Sequence, residues 1–467
     1  MGIKTFFGKY ATAVSLSIIL LLALALRLYH LDGQSLWVDE IASMNGADPD
    51  ATIAAVLQYS AVDQPPAYFL LLHYWLKFFP FSDYYGRLLA TLIGLAGIVA
   101  IFLLGKEVRE TRVGIIASLI TSLSYIHIYF SQEVRFYTLV FLASSLSYLF
   151  FIRATKYVKG TDFILYALST SLLIYTHYFG LVVLATQGLL FVLMILFYPA
   201  NRRFVIFSIL SAAVIVVLIL PWIPVFFKDV KTQQFWIGLP AWYFPLQYFY
   251  VYFKDVLSCF VFATLILYYL LGQYKKFRSE HTIDRTDFIL VGGVILSFLI
   301  PLAYSLIRTP MLQERYTIIA LPSIIVIISV GYCLLRERLR VILLIATCCT
   351  SLFSLVVIEK FYSKERKEDW KGMAMLVMQA SGPTDVVVSR YAWYCNYYFK
   401  LFHAPFRALL PNEFSVENKP SGVWYLDGFD VNPLPHEVEL NLLQHGYNLQ
   451  KTDSLYKARA SYYKLNE

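Results

Sequence analysis

The sequence predicts a polytopic α-helical membrane protein that ends in a small α/β domain. Three observations carry this expectation. Of 467 residues, 58% are hydrophobic and only 15% charged, whereas soluble globular domains carry about a quarter charged residues. Mean hydropathy is +0.60. Apolar runs of membrane-spanning length recur along most of the chain, and beyond Ile358 the pattern breaks into polar sequence.

A helix crosses the hydrocarbon core with roughly 17–25 apolar residues. Runs of this kind lie near Ala11–Leu28, Tyr84–Leu104, Val113–Phe130, Phe136–Ile152, Asp162–Thr176, Tyr178–Tyr198, Phe204–Phe227, Val251–Leu271, Phe288–Ile307, Tyr316–Leu335 and Val341–Ile358, which makes eleven spans. The fifth is short and is divided from the sixth by Thr176-His177. One further run, Ala67 to Phe79, suits an interfacial or re-entrant helix better than a crossing. The 36 Tyr and 36 Phe fit a membrane interface, where a ring sits in apolar surroundings and a hydroxyl stays wet. The run at Ala11–Leu28 has no small-residue cleavage site after it and reads as a retained span. No internal repeat is visible.

The net charge of +8 points to membrane topology rather than to nucleic acid. With eleven spans and a cytoplasmic N-terminus, the inside segments collect Lys4/Lys9, Lys106/Arg109/Arg112, Arg153/Lys156/Lys159, Arg202/Arg203, Lys275/Lys276/Arg278/Arg285 and Arg336/Arg338/Arg340. The loop from His30 to Pro66 holds no Lys or Arg and falls outside. Counting Ala67–Phe79 as a span would reverse every later loop, against the positive-inside bias. The five cysteines show neither metal-ligand spacing nor a disulfide framework.

The same topology leaves residues 359–467 outside as an extracytoplasmic domain after a transmembrane domain of residues 1–358. The tail mixes a helix at Asp369–Ala380, β-like runs at Asp385–Ser389 and Val423–Leu426, and a helix-like Glu437–Gln444. At about 100 residues it is long enough for its own core.

Five loop segments carry candidate chemistry, all on one side in this topology. The first holds Asp32, Asp39 and Glu40 with no nearby cation but Arg27. Adjacent carboxylates at a membrane surface repel each other and are costly to desolvate. Asp39 and Glu40 are therefore candidate catalytic groups, able to take a proton from an acceptor or to hold a metal ion. The alternative is that Asp39 caps the helix that follows. The second is Asp63 before Pro65-Pro66, where paired prolines fix an extended approach. The third is Gln132-Glu133-Val134-Arg135, and the fourth is Tyr175-Thr176-His177-Tyr178. The fifth is Arg308 to Tyr316, where Arg315 can clamp a phosphate bidentately or simply anchor to lipid headgroups.

The stretches Leu31–Glu40, Asp63–His73, Arg87–Thr91, Tyr129–Tyr137 and Glu314–Tyr316 resemble the family 39 branch of the GT-C glycosyltransferases. That branch includes protein O-mannosyltransferases and lipid A aminoarabinose transferases. The likeness covers roughly residues 10 to 360. It implies a GT-C type membrane fold and inverting transfer from a polyprenyl-phosphate sugar donor to an extracytoplasmic acceptor, whether lipid, glycan or protein. It also implies a cell membrane location, the bacterial plasma membrane by analogy. By the resemblance, Asp39 is the catalytic carboxylate. The donor phosphate needs positioned cations, for which Arg315 with Tyr316, and Arg135 or Arg308, are the candidates. The family has a second functional Asp near Ser131–Arg135 that this sequence lacks, which leaves open the roles of Glu133, a further candidate site residue, and Arg135. Asp63 stands where the aminoarabinose transferases have a zinc-ligating acid. Asp63 and His177 are accordingly the candidate ligands for a divalent metal such as zinc, magnesium or manganese. The partners expected are the lipid-linked donor, an acceptor and membrane lipids, with no nucleic acid.

A rival from another class is a transporter or flippase of lipid-linked glycans. It predicts charged or broken helices at mid-membrane, often in repeated halves. A glycan polymerase is a third reading.

Overall fold

The computed structural model describes residues 3–198, 201–232, 237–428 and 434–466, with the side chains of residues 3–9, 63, 229–232 and 418 outside the described set. Two compact units emerge. One comprises Met1–Tyr29, Ala51–Leu71 and Leu88–Tyr362; the other comprises His30–Asp50, Leu72–Arg87 and Ser363–Glu467.

The first unit is helical throughout. Among the described residues, nine helices are long and apolar enough to cross a membrane, or ten with one bent pair, and the chain is an integral membrane protein. The sequence count of eleven differs at two places. Gly160–Thr176 forms a helix of 17 residues, at the lower limit for a crossing. The expected span at Val113–Phe130 is two helices, Thr111–Leu123 and Tyr125–Ser131, bent by 64°.

The bend has an identifiable cause and an identifiable remedy. Ser124 is extended (φ −63°, ψ 121°), so the helical ladder stops there. A break in an apolar helix frees carbonyl groups that lipid cannot satisfy. Arg27, fully buried, donates to the carbonyls of Ser122 at 3.1 Å and Thr121 at 3.4 Å, and Ser124 Oγ donates to the Tyr252 carbonyl at 2.8 Å. Close backbone approach packs the neighbouring Asp83–Val108 helix. A Cβ on Gly114 would lie 2.5 Å from the Phe102 carbonyl oxygen, and one on Gly105 2.9 Å from Gly114 Cα. Small residues let membrane helices touch in this way. The short apolar run after Pro66 is a helix of 12 residues, Ala67–Phe78, too short to cross.

The second unit is built on a five-stranded sheet: β1 (Val386–Ser389), β2 (Ala408–Leu409), β3 (Gly422–Gly428), β4 (Tyr447–Leu455) and β5 (Ala458–Leu465), in the order β2-β1-β3-β5-β4. The β1 strand runs parallel to β2 and β3, while β5 pairs antiparallel with β3 and β4. The Ala392–Leu401 helix connects β1 to β2, as a parallel pair requires. Val388, Val423, Tyr425, Leu442, Tyr447 and Tyr463 form the core on one face. The central strand, β3, is buried along its whole length.

This unit is more than the tail. The boundary expected at residue 358 leaves out two earlier segments that fold with it, and hydrogen bonds show why. Gln34 Nε2 donates to the Lys364 carbonyl at 3.1 Å, and its Oε1 accepts from Arg366 N at 3.0 Å. Asp369, the N-cap of the Trp370–Ala380 helix, accepts from Gly372 N and from Ser35 Oγ, each at 2.8 Å.

Candidate functional site

In the second unit the first acidic loop feeds the Val38–Gly46 helix. Its N-cap is Trp37, so Asp39 is the second residue of the first turn and not the cap. A carboxylate there is favoured by the unpaired N–H groups and by the helix dipole. Asp39 is half-buried, whereas Asp32 is exposed.

Glu40 behaves differently. It is fully buried. Its Oε1 accepts from Arg87 Nε at 2.9 Å and its Oε2 from Arg87 Nη2 at 3.0 Å; Lys367 Nζ donates to the same Oε2 at 2.7 Å. Glu40 Oε2 also accepts from Trp37 N at 3.3 Å, which secures the first turn. Burial alone would raise the Glu40 carboxyl, but Arg87 and Lys367 outweigh it and hold the group down at about 2. A carboxylate so committed is a poor proton acceptor. The geometry therefore gives Glu40 a positioning part rather than the catalytic one expected beside Asp39.

Arg87 spends its remaining donors on the loop backbone: Nη1 on the carbonyls of Leu31 and Gln34, both at 2.9 Å, and Nη2 on that of Ser35 at 3.0 Å. Further support comes from the Ala392–Leu401 helix. Tyr398 Oη accepts from Leu36 N at 2.6 Å and donates to Asp83 Oδ2 at 3.3 Å, while Tyr397 Oη donates to Asp83 Oδ1 at 2.9 Å. Sequence reasoning assigned no role to Lys367, Tyr397 or Tyr398, and noted Arg87 only inside a motif.

The first unit holds the second cluster. Glu133 and Arg135 are buried in the turn that follows the Tyr125–Ser131 helix. The Arg135 guanidinium lies 4.5 Å from the Phe136 ring centre. Phe136 and Tyr316 flank the His177 ring at 5.0 and 4.9 Å, and the Arg315 guanidinium stands 5.4 Å from the Tyr316 ring centre. Tyr248 and Tyr252 steady the segment that carries Arg315: Tyr248 Oη donates to the Leu312 carbonyl at 3.0 Å, and Tyr252 Oη bonds Thr317 Oγ1 at 2.6 Å.

His177 reports how close the two arginines come. Its Nδ1 accepts from Phe179 N at 3.0 Å, leaving the proton on Nε2, which has no hydrogen-bond partner among the described residues. Burial, then Arg135, then Arg315 push the imidazole down to about 3. The structure brings Arg135, Arg315 and Tyr316, expected at the donor phosphate, around His177, which was expected with Asp63 at a metal. Asp63 closes the Ile53–Asp63 helix, and its side chain lies outside the described ones. No trio of His, Cys, Asp or Glu among the described residues is arranged to hold a metal.

The helical unit and the small sheet match the GT-C membrane fold in comparison with solved structures. The structure superposes on ArnT from Cupriavidus metallidurans in its apo state with a TM-score of 0.67 and 11% identity, covering 97% of this chain and 98% of that one. The same protein bound to undecaprenyl phosphate gives 0.64 and 11% identity, over 96% and 97%. The oligosaccharyltransferase AglB from Archaeoglobus fulgidus, in complex with an inhibitory peptide and a dolichol-phosphate, gives 0.56 and 10% identity, over 97% and 74%. Residues 63–225 match the family described as dolichyl-phosphate-mannose-protein mannosyltransferase. No curated protein sequence matches the chain. The chain has the fold of the GT-C glycosyltransferases, as its motifs indicated.

Proposed function

We propose that this protein transfers a sugar, with inversion, from a polyprenyl-phosphate donor to an acceptor on the extracytoplasmic side of a cell membrane. One observation carries the reading: Arg135 and Arg315, far apart in sequence, each stand against a ring, Phe136 and Tyr316, that flanks the same buried imidazole of His177. A paired guanidinium assembly in a membrane protein suits a phosphodiester headgroup. The binding of undecaprenyl phosphate by ArnT and of dolichol-phosphate by AglB supports the same chemistry.

Roles follow from each environment. Arg135 and Arg315, with Tyr316, balance the charge that develops on the departing lipid phosphate, so the leaving group needs no strong acid. Asp39 takes the acceptor proton as its nucleophile attacks the anomeric carbon. Glu40 and Arg87 keep the Asp39 turn in place. The surroundings of His177 do not fit a divalent cation, and no step is routed through one. The basic loops favour a cytoplasmic face for Lys275-Lys276 and an outer face for the tail.

The test is direct. Purified protein in proteoliposomes is given a radiolabelled polyprenyl-phosphate sugar and a cell-envelope extract as acceptor source. Label moving to acceptor with release of polyprenyl phosphate is expected. Label that crosses the bilayer while still attached to lipid would establish a flippase instead.

A further inference from the structure

The second unit contains a polar group that the transfer reading does not use. In the β1/β3 register Ser389 lies beside Leu426, and Arg390, in the turn that follows β1, is close enough to act electrostatically on Asp427, the residue after Leu426. On the other side Asp427 pairs with Arg459 of β5. Residues opposite one another in paired strands share a face. Asp427 and Arg459 therefore share a face at the carboxyl end of the parallel pair, with Arg390 close by. One row back on that face lie Val388, Tyr425 and Ser461. The crevice beyond the carboxyl ends of parallel strands is where open α/β sheets bind ligands.

Two buried groups on this face have open hydrogen-bonding capacity among the described residues. Asp427 is 0% exposed. Its Oδ1 accepts from Gly428 N at 2.9 Å, whereas Oδ2 has no hydrogen-bond partner among the described residues, nor has the buried Tyr425 hydroxyl. Burial pushes the Asp427 carboxyl up despite Arg390 and Arg459. A buried acceptor and a buried hydroxyl left unsatisfied side by side are costly to the fold and mark a place built for a polar guest. Arg390 is exposed and Arg459 half-buried. The half-buried Tyr391 follows Arg390 and acts electrostatically on Tyr425.

We infer that this cluster is a saccharide-binding subsite, in which Asp427 Oδ2 and the Tyr425 hydroxyl bond vicinal sugar hydroxyls while Arg390 and Arg459 donate to sugar oxygens. The chemistry selects the class of ligand. A simple anion suits the arginines but is repelled by Asp427, and a simple cation meets the reverse. A polyol offers donors to the carboxylate and acceptors to the guanidiniums at once. A pyranose also presents a C–H face that the Tyr391 ring can cover. The subsite stands apart from the transfer step and does not rest on it.

The experiment uses the full-length chain in nanodiscs, free of sugar detergents, and saturation-transfer NMR with methyl α-mannopyranoside, methyl α-glucopyranoside and methyl β-arabinopyranoside. No lipid-linked donor is added, so failure here leaves the transferase reading untouched. At least one glycoside is expected to receive saturation from the wild type, with binding weakened about tenfold in Arg390→Ala and in Asp427→Asn, as for loss of a charged hydrogen bond. Arg390 is exposed, so its alanine variant tests the site without disturbing the core. Excess inorganic phosphate is expected to leave the signal in place. No signal from any glycoside, or a signal unchanged in both variants, overturns the inference. So does a signal abolished by phosphate, which marks an anion site, or one lost only in Asp39→Asn, which marks the transfer site.

Discussion

Arg87 grips Glu40 through two parallel hydrogen bonds, Nε to Oε1 at 2.9 Å and Nη2 to Oε2 at 3.0 Å. Fork-to-fork pairing fixes orientation as well as charge, and here it turns one of two adjacent carboxylates into a strut for the other. Removing one partner from such a buried pair typically costs about 3–5 kcal/mol. Glu40→Gln is therefore expected to lower the melting temperature in detergent and to lower turnover with it. Proton linkage gives an independent check. The Glu40 carboxyl is held at about 2 in the fold against an ordinary 4.5. Its contribution is present above pH 4.5 and lost as pH falls toward 2. Thermal melts across that window are expected to fall more steeply for wild type than for Glu40→Gln; parallel curves would deny the strut.

The orientation of the chain yields a second test. In a cysteine-free background, Lys276→Cys and Asn412→Cys both place a thiol at an exposed position. A membrane-impermeant maleimide added to intact cells is expected to label position 412 and to spare position 276 until the membrane is opened. The opposite pattern would invert the topology.

Much of this architecture was legible because periodicity and length act locally. The tail elements expected at Asp369–Ala380 and Glu437–Gln444 are helices at Trp370–Ala380 and His436–Gln444. β4 was not legible, since it is mostly exposed and carries little apolar alternation. Nor was the 64° bend at Ser124, because what satisfies the freed carbonyls is Arg27, distant in sequence. The fate of Glu40 was hidden for the same reason. Its partners lie 47 and 327 residues away, and nothing in the basic run around Lys367 singles that lysine out. The grouping of Arg135 with Arg315 was legible from motif resemblance, but the imidazole between them was not.

That imidazole supports a third prediction. His177 is held at about 3, below the ordinary 6.5. The unfolded chain therefore binds its proton first, and the stability this group contributes above pH 6.5 declines as pH drops from there toward 3. His177→Gln is expected to remove that part of the acid sensitivity. His177→Lys is expected to lower the melting temperature at every pH, because it sets a third charge beside Arg135 and Arg315. Exhaustive dialysis against EDTA is expected to leave transfer intact; a loss restored by zinc would return His177 to the role of ligand.

Arg315 carries the fourth. Arg315→Ala is expected to raise KM for the lipid-linked donor well above any change in KM for acceptor, because a phosphate contact serves donor binding. Arg315→Lys is expected to recover only part, since a point charge lacks the guanidinium fork. Arg135→Ala belongs to the same assembly, so the double variant is expected to fall short of the sum of the singles. Equal effects on both substrates would remove Arg315 from the donor.

Asp39 carries the last. Trp37 occupies the N-cap, so a capping role no longer competes for Asp39, and Asp39→Asn leaves the start of its helix intact. If Asp39 accepts the acceptor proton, the amide preserves shape and removes the base. Turnover is then expected to fall by about 10²-fold or more, while the melting temperature and donor KM stay near wild type. Glu40→Gln separates from it cleanly, because loss of the strut lowers stability and turnover together. Asp32→Asn is expected to be nearly silent, since Asp32 is exposed in the turn before the helix. The decisive measurement is single-turnover sugar transfer by purified Asp39→Asn protein with saturating donor. A rate near that of wild type would end the assignment of Asp39 as the base, whatever the other carboxylates do.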